Sequence, residues 1–193
     1  VTGGHDFERE AFFEMFDSME NVTYREAIHP NAFQMFQSNK RSAYDVIVLY
    51  DMNQDIPEQD AEAAMDMLQQ GKGIVALHHC IASYNDRPEY EEIIGGKYFL
   101  KDTREGGEVI PQSTYDHDQT MKVEVCDSDH PITKGIDDFT IYDETYKGFR
   151  VSDDVHPLLK TDHPKSGETI AWCHKYWNSR VAYIQLGHDH HAY

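Results

Sequence analysis

Residues 44–77 constrain the fold more than any other stretch of the sequence. Tyr44–Asp51 is β-branched and apolar at its centre, as a strand covered on both faces should be. Pro57–Gln70 follows, with proline in the first turn, acids early and Gly71 at its stop, the normal punctuation of a helix. Ala61, Ala64, Met65 and Leu68 recur at i, i+3, i+4 and i+7 and so line one helical face. Gly73–Leu77 then reads as a second buried strand. Strand, helix and strand within about 30 residues make a βαβ unit, so the two strands are expected to be parallel neighbours.

Around this unit, a glycine turn at Gly3-Gly4 precedes a helix through Phe7, Phe12, Phe13 and Met15 and a strand over Val22–Ile28. The second half changes character. Met121–Cys126, Thr169–His174 and Arg180–Leu186 read as strands joined by short turns and hairpins. Between the halves, Leu100–Asp118 is polar and turn-rich, and reads as a surface loop or flap. The whole is expected to be one domain over residues 1–193. The chain opens on Val1 and not Met, which fits a removed targeting segment or a truncation, and the domain is expected to be truncated at one or both ends.

Composition excludes several functions. With 35 acidic and 17 basic side chains the net charge is −18, which repels phosphate backbones and argues against nucleic acid. No apolar run approaches the roughly 18 residues of a membrane span. The three cysteines are odd in number and lack C-x-x-C spacing, so a finger-type zinc site is excluded. A reducing compartment, and hence the cytoplasm, is the simplest expectation.

Twelve histidines remain to be explained. Three stand just after predicted strands: His5 in Gly3-Gly4-His5-Asp6, His78 after Ile74–Leu77, and His188 in Gly187-His188-Asp189. Ligands of open parallel sheets bind at the carboxyl ends of strands, so three such outcrops can converge in one crevice. Histidine and aspartate also serve there simply as caps. Cys80 would need very small residues two places away on either side to act as a nucleophile on a sharp strand-to-helix turn. His78 and Ala82 occupy those places, so Cys80 reads as a small buried hydrophobe. A catalytic zinc is the stronger rival, because imidazole is its common ligand. His188 and His190 would share one face of an extended chain, and His78, His5 or Glu144 could complete the set. In Asp143-Glu144-Thr145-Tyr146, the period of two puts Glu144 and Tyr146 on one face, an acid/base beside a hydroxyl. Tyr142, Tyr146, Trp172, Tyr176 and Trp177 offer flat faces of the kind a sugar site uses, although most such rings are core.

Together these stretches resemble the trehalose-utilisation (ThuA-like) family. The resemblance rests on Gly3–Phe7, Tyr44–Asp51, Gly73–His78 and Glu92–Gly96. It continues through Asp129-His130-Pro131-Ile132, Asp143–Tyr146, Ile170-Ala171-Trp172 and Arg180–Asp189, in the family's order. It implies a class I glutamine amidotransferase-like fold, an α/β, flavodoxin-like, mostly parallel sheet with helices on both faces. It also implies a role in carbohydrate breakdown without amidotransferase chemistry, since a histidine (here His78) takes the nucleophile's place. The family's Gly-His-Asp motif falls on His5 and His188, and its Asp-Glu-x-Tyr on Asp143–Tyr146.

The expected function is therefore acid/base chemistry on a disaccharide or keto-sugar. His78, His188 and Glu144 are the expected catalytic groups, and His5, Asp6, Tyr146 and Asp189 the substrate-binding ones. The alternatives are a zinc hydrolase with His78, His188 and His190 as ligands, or a non-catalytic sugar-binding module. A small sugar is the expected partner, with no nucleic acid and no membrane, and self-association into a homo-oligomer is left open.

Overall fold

A computed structural model describes residues 1–193. Its first half contains β1 (Thr2–Gly3), α1 (Arg9–Asp17), β2 (Val46–Asp51), α2 (Glu58–Gln69), β3 (Gly73–Leu77) and α3 (Pro88–Ile94). The βαβ unit forms as the periodicity predicts, with β2 and β3 parallel and Ile47 beside Ile74. Glu58 and Asp60 lie in the first turn of α2, where carboxylates favour the helix dipole. Met67 and Leu68 on its inner face are buried in the main core, which also holds Ile74, Trp172 and Tyr183. No strand forms over Val22–Ile28: the stretch makes only an isolated bridge, Ile28 to Thr2. No helix is long and apolar enough to cross a membrane.

The second half is all strand: β4 (Gly96–Lys97), β5 (Thr103–Glu105), β6 (Glu108–Ile110), β7 (Thr114–Val125), β8 (Phe139–Lys147), β9 (Arg150–Val151), β10 (His156–Lys160), β11 (Thr169–Tyr176) and β12 (Ser179–Ile184). The supposed flap over Leu100–Asp118 thus holds the small β5–β6 hairpin and the start of β7. The main sheet runs β1-β2-β3-β12-β11-β10-β7-β8.

This topology corrects the flavodoxin-like expectation of a mostly parallel sheet with helices on both faces. Only β1–β2, β2–β3 and β3–β12 pair parallel. The contacts β12–β11, β11–β10, β10–β7 and β7–β8 are antiparallel, as are the β4–β9 and β5–β6 ribbons. The physical reason is connection length. A parallel crossover needs a dozen or more residues, usually a helix. No α-helix follows Ile94, and β11 reaches β12 through Trp177 and Asn178 alone.

The sheet is also strongly curled into a half-barrel. β3 and β8 are five strands apart, about 24 Å in a flat sheet at about 4.8 Å per strand. Yet His78, just after β3, and Glu144, on β8, lie 3.0 Å apart. Register shifts in β10–β11 and β7–β8 mark bulges, which bend strands and increase twist.

Candidate active site

The curl gathers side chains from four strands, beginning with His78. Its backbone φ is 50, a left-handed value unusual for a residue with a side chain. The strained strand-to-helix elbow is thus centred on His78, and Ala76 and Cys80, both 0% exposed, are the small residues two places away on either side. Applied to His78 instead of Cys80, the same spacing rule marks the elbow in the sequence. The Cys80 thiol lies in the core, and burial raises its pKa well above the usual thiol value, which makes it a poor nucleophile.

The His78 ring is fixed from behind. Nδ1–H donates to the Gln185 carbonyl at 2.6 Å, which leaves Nε2 of the neutral ring as an acceptor facing the site. The Tyr146 hydroxyl lies 2.9 Å from Nε2, Glu144 Oε2 3.0 Å and His188 Nδ1 3.3 Å. Neutral His78 accepts the tyrosine proton, and protonated His78 donates to Glu144 instead. Glu144 and Tyr146 share one face of β8, as the period of two predicts.

Asp143, on the other face, holds the turn that carries His188. Its carboxylate accepts the backbone N–H groups of Gly187 at 2.8 Å and His188 at 3.0 Å. A negative charge beside Glu144 in the sequence is the only signal of this role. His117 is also absent from the sequence expectations. A bulge between Asp116 and Gln119 of β7 sets His117 and Asp118 opposite Glu144. His117 Nδ1 lies 3.1 Å from Glu144 Oε1, and its ring is 4.7 Å from that of His188. Nothing in the sequence marks the bulge except that a histidine interrupts a polar stretch.

The family model described as trehalose utilisation, ThuA, matches residues 2–193. The chain belongs to the ThuA family. Solved structures agree at the level of fold. One is a putative ThuA-like protein from Parabacteroides merdae (16% identity, TM-score 0.71, covering 97% of this chain and 77% of that one). Another, also ThuA-like, is from Bacteroides uniformis (19% identity, TM-score 0.68, 100% and 82%). A third is a cytoplasmic protein of Salmonella typhimurium (12% identity, TM-score 0.63, 93% and 76%). No curated protein sequence matches the chain.

The remaining predicted site residues of this ThuA-family chain lie around that centre. His5 stacks on His79 with ring centroids 4.5 Å apart, one residue along from His78. Asp6 is exposed, and its carbonyl lies 2.6 Å from His5 Nδ1. Asp189 is half-buried, in a turn with His190 and His191. His190 points away from His78: its Nδ1 lies 2.7 Å from Glu8 Oε2. Of the expected zinc ligands, then, only His78 and His188 meet, and Glu144 stands where His190 was expected. The donor atoms of His78, Glu144 and His188 lie within 4.8 Å of one another, and Asp189, His190 and His191 form a second, more exposed group.

Electrostatics divide the roles. Burial pushes the Glu144 carboxyl up, but hydrogen bonding and charge from His78, with His188, more than offset this and hold it below the usual carboxylate range. Glu144 is therefore an anion at neutral pH. Burial, reinforced by His78 and His117 and only partly opposed by Glu144, lowers His188, so its imidazole is neutral there. Burial raises the Tyr146 hydroxyl well above its ordinary value, keeping it a donor.

Proposed function

We propose that this chain is a carbohydrate-processing enzyme that acts on a disaccharide or keto-sugar by proton transfer at His78, Glu144 and His188. The observation that carries this reading is the convergence of Tyr146, Glu144 and His188 on one nitrogen of His78, within 3.3 Å. Of the three proton-transfer groups, neutral His188 is the most accessible base, its side chain 25% exposed against 1% for His78 and 6% for Glu144. A keto group acidifies the neighbouring C–H. The base takes that proton, the electron pair forms a C=C bond, and the glycosidic C–O bond breaks. The imidazolium then returns its proton to the departing oxygen, so no second acid is needed. Anionic Glu144 stabilises the imidazolium, and the Tyr146 hydroxyl, donated to His78 Nε2, holds the His78 ring in place beside it. His5, Asp6 and Asp189 line the approach and bind the rest of the sugar.

A second reading is favoured by the donor set itself. His78 donates Nδ1–H to a backbone carbonyl, as metal-bound histidines usually do, and its Nε2, a Glu144 oxygen and His188 Nδ1 would hold a divalent ion such as zinc. Such an ion would supply a Lewis acid, or a bound water of lowered pKa, for hydrolysis.

The test is turnover of 3-keto-trehalose and of trehalose by the purified protein, with and without added zinc. Metal-free wild type should convert the keto-sugar, and His188→Ala should lose about 10²-fold or more in kcat. Activity that needs zinc selects the second reading. Neither turnover nor tight binding across both sugars would overturn the enzyme reading. The name of the Salmonella relative supports a cytoplasmic location, which fractionation can check.

A further inference from the structure

Most of the aromatic rings expected to serve a sugar lie elsewhere. Trp172 is fully buried in the core, and Tyr176 and Trp177 flank the β11–β12 turn, at the opposite end of β12 from His188. Two exposed tyrosines stand beside the acid instead: Tyr142 is 40% exposed and Tyr115, which the sequence did not single out, 58%. Both belong to the β7–β8 ribbon that carries Glu144. Tyr142 precedes Glu144 by two residues on the same face of β8, about 7 Å along the strand. On the other side, Tyr115 pairs with Tyr146, two residues beyond Glu144. The Tyr115 ring packs edge-on to His117 at 5.2 Å, and the Tyr142 ring edge-on to His191 at 5.4 Å. Each tyrosine is thus braced by an imidazole while much of its surface stays open.

An exposed aromatic face beside a buried carboxylate suits a pyranose ring, whose C–H groups pack on the ring while its hydroxyls reach polar neighbours. One such face on each side of Glu144 suits two sugar rings joined across it. We propose that Tyr142 and Tyr115 are the platforms for the two rings of a disaccharide whose linkage lies over Glu144. This rests on the sugar reading of the site and adds to it which residues hold each ring and why a two-ring substrate is preferred.

The test compares Tyr115→Ala, Tyr142→Ala and the two Phe variants, using 3-keto-trehalose and the single-ring methyl 3-keto-glucoside, which keeps a glycosidic bond, as probes. Each Ala variant should raise KM for the two-ring probe about three- to ten-fold, with a smaller change in kcat. Each Phe variant, which keeps the ring, should restore KM to within about two-fold. For methyl 3-keto-glucoside only one of the two Ala variants should matter. If wild type turns over the two-ring probe and neither Ala variant moves KM, the platforms are wrong. Equal losses for both probes in both variants also overturn the two-ring arrangement. Wild type that neither binds nor converts either sugar overturns the underlying function instead.

Discussion

His79, the neighbour of the elbow residue, is 4% exposed and neither of its ring nitrogens has a hydrogen-bond partner. Burial, helped by the charges of His78, His5 and His188, pushes its pKa down to about 2. The unfolded chain therefore binds a proton there below about pH 6.5, and the folded chain does not. Stability is complete above that pH and is lost as pH falls, at about 1.4 kcal/mol per unit, or about 2 kcal/mol by pH 5. Urea unfolding at pH 7.5 and pH 5 should show this loss, and His79→Phe, which keeps the stack on His5, should reduce it. An equal loss in both proteins would mean that folded His79 takes up the proton. At this scale much of the centre was legible. Strand ends pointed to His78 and His188, and the period of two to Glu144 and Tyr146. His117 and Asp143 were not legible, because one depends on a bulge and the other on a turn supplied 45 residues away.

The turn after β12 shows how an element sets chemistry. Gly187 has φ 113, where an L side chain is strained, and its N–H is held by Asp143. Gly187→Ala should cost about 1–3 kcal/mol and move His188 away from Glu144. Thermal melting should record the first effect, and turnover falling far more than the melting temperature explains should record the second. A stable, fully active variant would show that the turn tolerates another geometry. Among the elements, the βαβ unit was readable because its helix has a clear 3.6 period between two apolar runs. The antiparallel half was readable only in part. Short turns in the sequence already pointed to hairpins, whereas the family resemblance carried the parallel pattern too far. Curl, which depends on bulges and twist, has no counterpart in hydrophobic periodicity.

Across the whole molecule, the charge of −18 acts as a field rather than through particular contacts. Like charges on one small body repel each other, and salt screens them over a Debye length of about 10 Å at 0.1 M. The melting temperature should therefore rise between 20 and 200 mM NaCl. A fall would show that the ion pairs, such as Arg150 with Glu91 and Glu105, outweigh the repulsion.

β12 has a further consequence, one of timing. It is the last strand in sequence, but it lies between β3 and β11, where the parallel and antiparallel halves meet. While the chain is being synthesised, each half waits with an open edge until residues 179–184 emerge and close the gap. His78 belongs to one half and Glu144 to the other, and His188 follows the strand that joins them. The two halves and the site are therefore joined by one strand, and a chain interrupted before β12 has neither a continuous sheet nor an assembled centre.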